Sequence, residues 1–179
     1  MSLKNFFRKA SGAKHAGALT AGTQAPEIAL SSATGQKLSL ADTLKKGPVL
    51  AAFFKVSCPT CQFAMPFIER IYETYGDAKF SVWGVSQNDA ADTRDFLKEY
   101  GVKFPTLIDD DGFVASNEYG LTNVPSIFLI TPDGKIKTSS VGFGKADLEA
   151  MAAEAARASN KPAKPLFKPG EVIPDYKPG

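Results

Sequence analysis

The chain is poor in the residues that most protein chemistry draws on. Its 179 residues include two cysteines, one histidine, one tryptophan and three methionines. Two cysteines in a chain of this length do not make a disulfide framework, and a bridge closing so short a loop would constrain little chain entropy. A structural zinc centre takes four ligands. Beyond the two thiols the sequence offers only His15 and carboxylates, so no metal and no other cofactor is expected, and His15 reads as a solvated residue. No apolar run approaches the roughly 18 residues of a membrane-spanning helix, so no span is expected. Acids are missing before Glu27, and the two ends, 1–15 and 157–179, carry +4 and +3. With a net charge of +2, the body between them stands at −5. A mildly acidic body gives no support to nucleic-acid binding, which wants a basic face. The amino terminus starts basic but lacks the about 7–15 apolar residues of a signal-peptide core. The expectation is a flexible basic leader over 1–24 and a reducing, cytoplasmic setting.

Hydrophobic residues make up 44% of the chain and charged ones 22%, as in a globular domain with a full core. After the leader, "APEIALSSATGQKLSLADTL" holds two short strand-like pieces around the turn signal "SATGQ". "GPVLAAFFKV" is a continuous apolar run opened by Gly47-Pro48, the pattern of a central strand buried on both faces. From Pro59 the period changes. Phe63, Phe67, Ile71 and Tyr75 recur every fourth residue, which predicts an amphipathic helix closed at Gly76, with Pro66 inside it. "KFSVWGVS" is a second strand and "DAADTRDFLKEYG" a capped helix. "PTLID" is a brief strand before the turn at Asp109–Gly112, and a short helix covers about Phe113–Tyr119. "SIFLITPDGKIKTSSVG" predicts a hairpin turning at Pro132-Asp133-Gly134, and the last helix runs over Lys145–Ala158. Strands alternating with helices and ending in a hairpin make an α/β domain with a mixed sheet, here over 25–158. The Pro- and Lys-rich stretch 159–179 cannot be helix or inner strand and is expected as an extended tail. Its interspersed Leu166, Phe167, Val172, Ile173 and Tyr176 suit contact with the body or a partner, and a disordered tail is the equal alternative.

Both cysteines fall in "FFKVSCPTCQFAMPF", three apart, where the apolar strand gives way to the helix. The first turn of a helix has unpaired N–H groups and the positive end of the macrodipole, and both favour a thiolate over a thiol. Cys58 at the helix mouth is therefore the candidate nucleophile. Cys61, one turn inside, is close enough to bond to it and more shielded. Such a pair beside a βαβ pattern is a redox signature. Cys58 would attack a substrate disulfide, and Cys61 would then attack Cys58 to release the reduced product.

Several separated motifs carry a resemblance. Ala25-Pro26, Leu30, Gly35 and Leu38-Ser39-Leu40 precede Pro48-Val49-Leu50, Cys58-Pro59-Thr60-Cys61 and Met65-Pro66. "FLKEYGVKFPTLIDDDG" and "YGLTNVPSIFLITPDGKI" follow. Over about 25–156 the chain resembles the thioredoxin fold. Within that fold it resembles the branch joining TlpA/ResA-like thiol–disulfide oxidoreductases to the AhpC/TSA and redoxin peroxiredoxins. The resemblance implies a thioredoxin-like fold with a central mixed sheet flanked by helices, an N-terminal β-hairpin extension and an inserted helix-strand. It implies catalysis by Cys58 and Cys61. Substrate contacts are implied at Pro59 and Thr60 and at a cis-proline loop, Val124-Pro125, with Val124 presenting its backbone to the substrate chain. The implied partners are a protein disulfide or dithiol and a thioredoxin-like or reductase redox partner.

There are departures. Ser57 stands where these families usually have Trp before the first cysteine, and Ala64 where the TlpA/ResA branch often has Glu. The peroxiredoxin pattern P-x-x-x-T/S-x-x-C would need Pro and Thr or Ser where this chain has Ala51 and Lys55. Thiol–disulfide exchange is therefore the expected activity. Peroxidase is the alternative, and a redox-sensing or interaction module using the tail is a further one.

Overall fold

The computed structural model describes residues 17–179. Its centre is strand β3 (Val49–Phe54), whose six side chains are all buried. The alternation of a strand sends neighbouring side chains to opposite faces. Leu50, Ala52 and Phe54 accordingly enter one apolar cluster, while Val49, Ala51 and Phe53 enter another. β3 pairs in parallel with β4 (Ser81–Ser86) and antiparallel with β6 (Ser126–Ile130). With β5 (Thr106–Ile108) and β7 (Ile136–Val141) outermost, the sheet order is β5-β4-β3-β6-β7. This is the mixed sheet that the order of elements predicted, in the thioredoxin-like form that the resemblance implied.

Helices cover both faces. The long helix α2 (Pro59–Tyr75) and α5 (Lys145–Ala158) bury Ile68, Ile71, Leu148 and Met151 in the first cluster, which Phe96 of α3 (Ala90–Glu99) also joins. The second cluster takes Leu40 and Leu44 from α1 (Leu40–Leu44), and Ala115 from α4 (Val114–Glu118). The N-terminal hairpin, β1 (Ala29–Ser31) with β2 (Lys37–Ser39), leads into α1, whose N-cap is Ser39. Glu27 accepts hydrogen bonds from the Ser39 hydroxyl and the Ala41 N–H, so α1 starts on a carboxylate that strengthens its N-terminus. The sequence reading missed this short helix. No helix among the described residues is long and apolar enough to cross a membrane.

One boundary differs from the expectation. The leader was expected to run to residue 24. Of it, 1–16, with His15, lie outside the described residues, but 17–24 belong to the body. Leu19 is buried, its N–H bonds the Tyr119 carbonyl, and its carbonyl accepts the Ser139 hydroxyl. Gln24 bridges Lys135 beside β7. One buried leucine and a set of backbone bonds hold this Gly- and Ala-rich stretch, and neither leaves a periodic pattern. At the other end the tail is extended, as expected, and it is packed. Leu166 is buried, and the Phe167 ring lies 5.2 Å from that of Phe67. Arg70 makes a two-pronged bond to Glu171, at 2.8 and 2.6 Å. The distal tail forms β9 (Tyr176–Lys177) against β8 (Phe143–Gly144).

The triple Asp at 109–111 is more than a turn. Asp109 is buried, and its carboxylate accepts the N–H groups of Ala115 and Ser116 and the Ser116 hydroxyl. It thus caps α4 from outside the helix. Asp109→Ala strands three buried donors and is expected to cost about 2–3 kcal/mol, read as a lower urea midpoint. A second prediction concerns the tail. Arg70 and the Lys168 N–H pull the Glu171 carboxyl from its ordinary 4.5 down to about 2. A depressed folded-state value adds stability above the unfolded value, and that stability is lost as pH falls through the folded one. The stability difference between the parent chain and Glu171→Gln is therefore expected to be constant above about pH 4.5 and to vanish towards about pH 2. Denaturant titrations across that window measure it.

Candidate active site

The site forms where β3 ends. Strand β3 stops at Phe54, and the loop Lys55–Ser57 turns the chain into α2. That loop is held from two sides: the Val56 N–H bonds the Asn88 side-chain oxygen, and the Gln62 amide donates to the Val56 carbonyl. Cys58 is the N-cap of α2, with an extended backbone (φ −84°, ψ 116°), and Pro59 opens the helix. A proline at the first helical position loses no hydrogen bond, because that N–H has no partner inside the helix. The Cys58 Sγ fills the capping role that Ser or Asp usually takes, accepting the Cys61 N–H at 3.2 Å. The thiol that was expected to be reactive is thus held by the helix mouth itself.

The pair is asymmetric. Both thiols are free; Cys58 is partly exposed and Cys61 fully buried. Burial, and then the hydrogen bond and charge of Cys58, push the Cys61 thiol far above its usual range. Cys61 therefore keeps its proton while both thiols are reduced.

The Val124–Pro125 loop arrives from 66 residues away. Because β6 runs antiparallel to β3, with Ser126 opposite Phe53, the residues just before β6 fall beside the residues just after β3. The Val124–Pro125 bond is cis. The Val124 carbonyl accepts the Cys58 thiol at 3.3 Å, the Ser126 hydroxyl closes the loop onto the Asn123 carbonyl, and the Gly142 N–H bonds the Pro125 carbonyl. An open cleft of about 490 Å³ lies here, lined among others by Lys55, Cys58, Pro59, Gln87, Asn123 and Val124. Such a crevice beyond the carboxyl ends of parallel strands is where ligands bind in open α/β sheets.

The sequence-predicted residues thus meet in one place: Cys58, Pro59 and Val124 line the cleft, Cys61 lies behind Cys58, and Pro125 opens β6. Thr60 is not among the residues that line the cleft. It is buried, and its hydroxyl donates to the Pro178 carbonyl at 2.6 Å. Asn123 and the end of the tail escaped the sequence reading, since nothing local in a Pro-rich segment announces a contact with residue 60. Among the described residues no cluster of His, Cys, Asp and Glu is arranged to hold a metal.

The model of the AhpC/TSA family matches residues 21–139 of this chain. A thiol-disulfide oxidoreductase ResA of Bacillus thuringiensis (strain Al Hakam) is 31% identical over 123 residues, 68% of this chain and 69% of that protein. The ResA of Halalkalibacterium halodurans is 32% identical over 133 residues, covering 74% and 71%. The crystal structure of the thioredoxin domain of a thiol-disulfide oxidoreductase from Bacteroides vulgatus superposes with a TM-score of 0.66 at 26% identity. It covers 75% of this chain and 96% of that one.

The depth of Cys61 gives a direct prediction. Iodoacetamide at about pH 8 is expected to alkylate Cys58 in the reduced protein and leave Cys61 unmodified over the same period, because only an accessible thiolate reacts. Peptide mapping by mass spectrometry reads the outcome.

Proposed function

The chain belongs to the AhpC/TSA family and is a thiol–disulfide oxidoreductase, and from that premise we propose that its substrate is a disulfide in another protein, docked against Val124-Pro125. In this reading the Cys58 thiolate attacks one substrate sulfur. A Cys58–substrate disulfide forms, the substrate S–S bond breaks, and the leaving thiolate takes a proton from solvent. Cys61 then gives up its proton and attacks the Cys58 sulfur. The Cys58–Cys61 bond forms, the mixed disulfide breaks, and the second substrate thiol leaves. Two electrons pass to the substrate, and a redox partner with a dithiol of its own returns them. The steps run backwards when the substrate is a dithiol, and the direction follows the potential of the pair against its surroundings.

One observation carries this reading: the accessible sulfur caps the helix and touches the Val124 carbonyl, while the second sulfur sits one turn deeper. That order of access suits an attacking and a resolving thiol. Peroxide reduction would need donors for the leaving oxygen. The position for the Thr or Ser hydroxyl holds Lys55, an exposed side chain, and Ala51 is buried in β3. Disulfide exchange needs no such donor.

The test is to replace the resolving thiol. Cys61→Ser is expected to accumulate a mixed disulfide on Cys58 with an oxidised protein substrate such as insulin, visible as an added mass that dithiothreitol removes. Cys58→Ser is expected to trap nothing and to lose turnover. Normal turnover by Cys61→Ser, with nothing trapped, would rule out the two-thiol mechanism.

A further inference from the structure

The end of the tail lies on the site. Its path is set in two halves of different strength. The first half is anchored. Leu166 is buried, Phe167 packs against Phe67 and Phe143, and Glu171 is forked to Arg70. The second half, 174–179, is mostly exposed and held by a few polar ties. The Lys145 N–H bonds the Asp175 carbonyl at 2.9 Å, β9 pairs with β8, and the Lys177 ammonium lies 5.2 Å from the Phe63 ring centre. The last ties reach the redox pair. Thr60, between the two cysteines, donates to the Pro178 carbonyl at 2.6 Å, and the Asn123 amide donates to the Gly179 carbonyl at 3.3 Å.

Two glycines show how closely this strand passes. Gly142 has φ +79°, and a side chain there would run into the Lys177 carbonyl. A side chain at Gly179 would run into the carbonyl of Val124, the same oxygen that accepts the Cys58 thiol. The tail therefore makes two kinds of contact that an incoming extended peptide would make: strand pairing with β8, and close approach to the backbone before Pro125.

We propose that residues 174–179 are an internal occupant of the groove between α2, the Val124–Pro125 loop and β8, and that an extended polypeptide partner takes this path by displacing them. The inference rests on Val124-Pro125 being the substrate-docking loop. The groove selects an unfolded or exposed stretch of chain, because its offers are a strand edge at β8 and a hydroxyl at Thr60 seeking a backbone carbonyl. Beside the Val124 carbonyl it has room for a glycine. The anchored half keeps the distal half nearby, at an effective concentration on the order of millimolar, so a partner competes with a tethered rival. Displacement breaks only the few polar ties of the distal half, and segments held by few contacts open at low free energy.

The experiment compares the full chain with a chain ending at Ile173, which keeps the anchor. With oxidised insulin as substrate, the shortened chain is expected to show a KM lower by roughly tenfold with kcat unchanged, and the peptide EVIPDYKPG added in trans to raise KM again. Labelling of Cys58 by a bulky maleimide is expected to accelerate as well, a readout that needs no disulfide substrate. An unchanged or higher KM, or slower labelling, would overturn the proposal and make the tail a wall of the site. A second measurement holds even if the shortened chain folds poorly. In the full-length Cys61→Ser protein bearing a trapped insulin chain, the Lys145 amide is expected to exchange its hydrogen at least roughly tenfold faster than in the free protein, because its acceptor has left. A Lys145 amide that stays protected in the trapped complex overturns the displacement while leaving the exchange chemistry intact. If no mixed disulfide forms at all, the docking reading fails, and the maleimide rates still decide whether the tail covers Cys58.

Discussion

Every feature of the site follows from the double pairing of β3. This strand is buried on both faces and bonded along both edges, in parallel with β4 and antiparallel with β6. The parallel partner requires a crossover, and α2 is that crossover. The redox pair therefore sits at the carboxyl end of β3, at the mouth of a helix. The antiparallel partner begins at the same end and brings Val124-Pro125 there. A strand polar on one face would leave one helix layer without an apolar surface to pack on. The meeting of Cys58 with the Val124 carbonyl would then lose its support.

Local chemistry then divides the labour between two identical side chains. Cys58 is fixed by an extended N-cap backbone and by Pro59, and its sulfur takes the place of a capping oxygen. Cys61 falls one turn further on, on the buried side of α2, where desolvation and its neighbour's charge keep it protonated. The difference arises because Cys58 is the extended N-cap at the open end of the helix, whereas Cys61 lies one turn further along it, inside the apolar cluster. The departures from the wider family do not disturb it. Ala64 is simply part of the apolar face of α2, and Ser57 is an exposed loop residue.

The tail adds a second layer of organisation. Aromatic packing and the Arg70–Glu171 fork hold the upstream half, while hydrogen bonds at Thr60 and Asn123 hold the end beside the thiols. Strong anchoring upstream and weak contact downstream give the last residues freedom to leave without detaching the segment. Proline suits both halves. It holds the chain extended with little conformational entropy left to lose, and at Pro178, which has no N–H, the carbonyl is the group that Thr60 binds.

Much of this protein is legible in its residues. The apolar run of β3, the four-residue period of α2 and the Pro-Asp-Gly turn before β7 are local signals, each set by which side chains must leave water. The bounds of α5 and the start of α2 agree with them. So does the place of the cysteine pair, since a helix mouth is recognisable from the change of period and from Pro59. The fold class followed from the order of those elements. Other features depended on distance along the chain. Asp109 reads as part of an acidic turn until α4 is seen folded onto it, and Leu19 reads as leader until β7 is beside it. Val124-Pro125 was placed by resemblance, and only the antiparallel register of β3 and β6 puts its carbonyl on Cys58. The tail carries no periodicity, because proline suppresses regular hydrogen bonding, so its course over Thr60 is decided wholly by tertiary packing. Sequence alone determined the elements and the chemistry available at the helix mouth. The tertiary structure decided which backbone faces the reactive sulfur and what lies across it, because those contacts join residues too far apart to leave any local pattern.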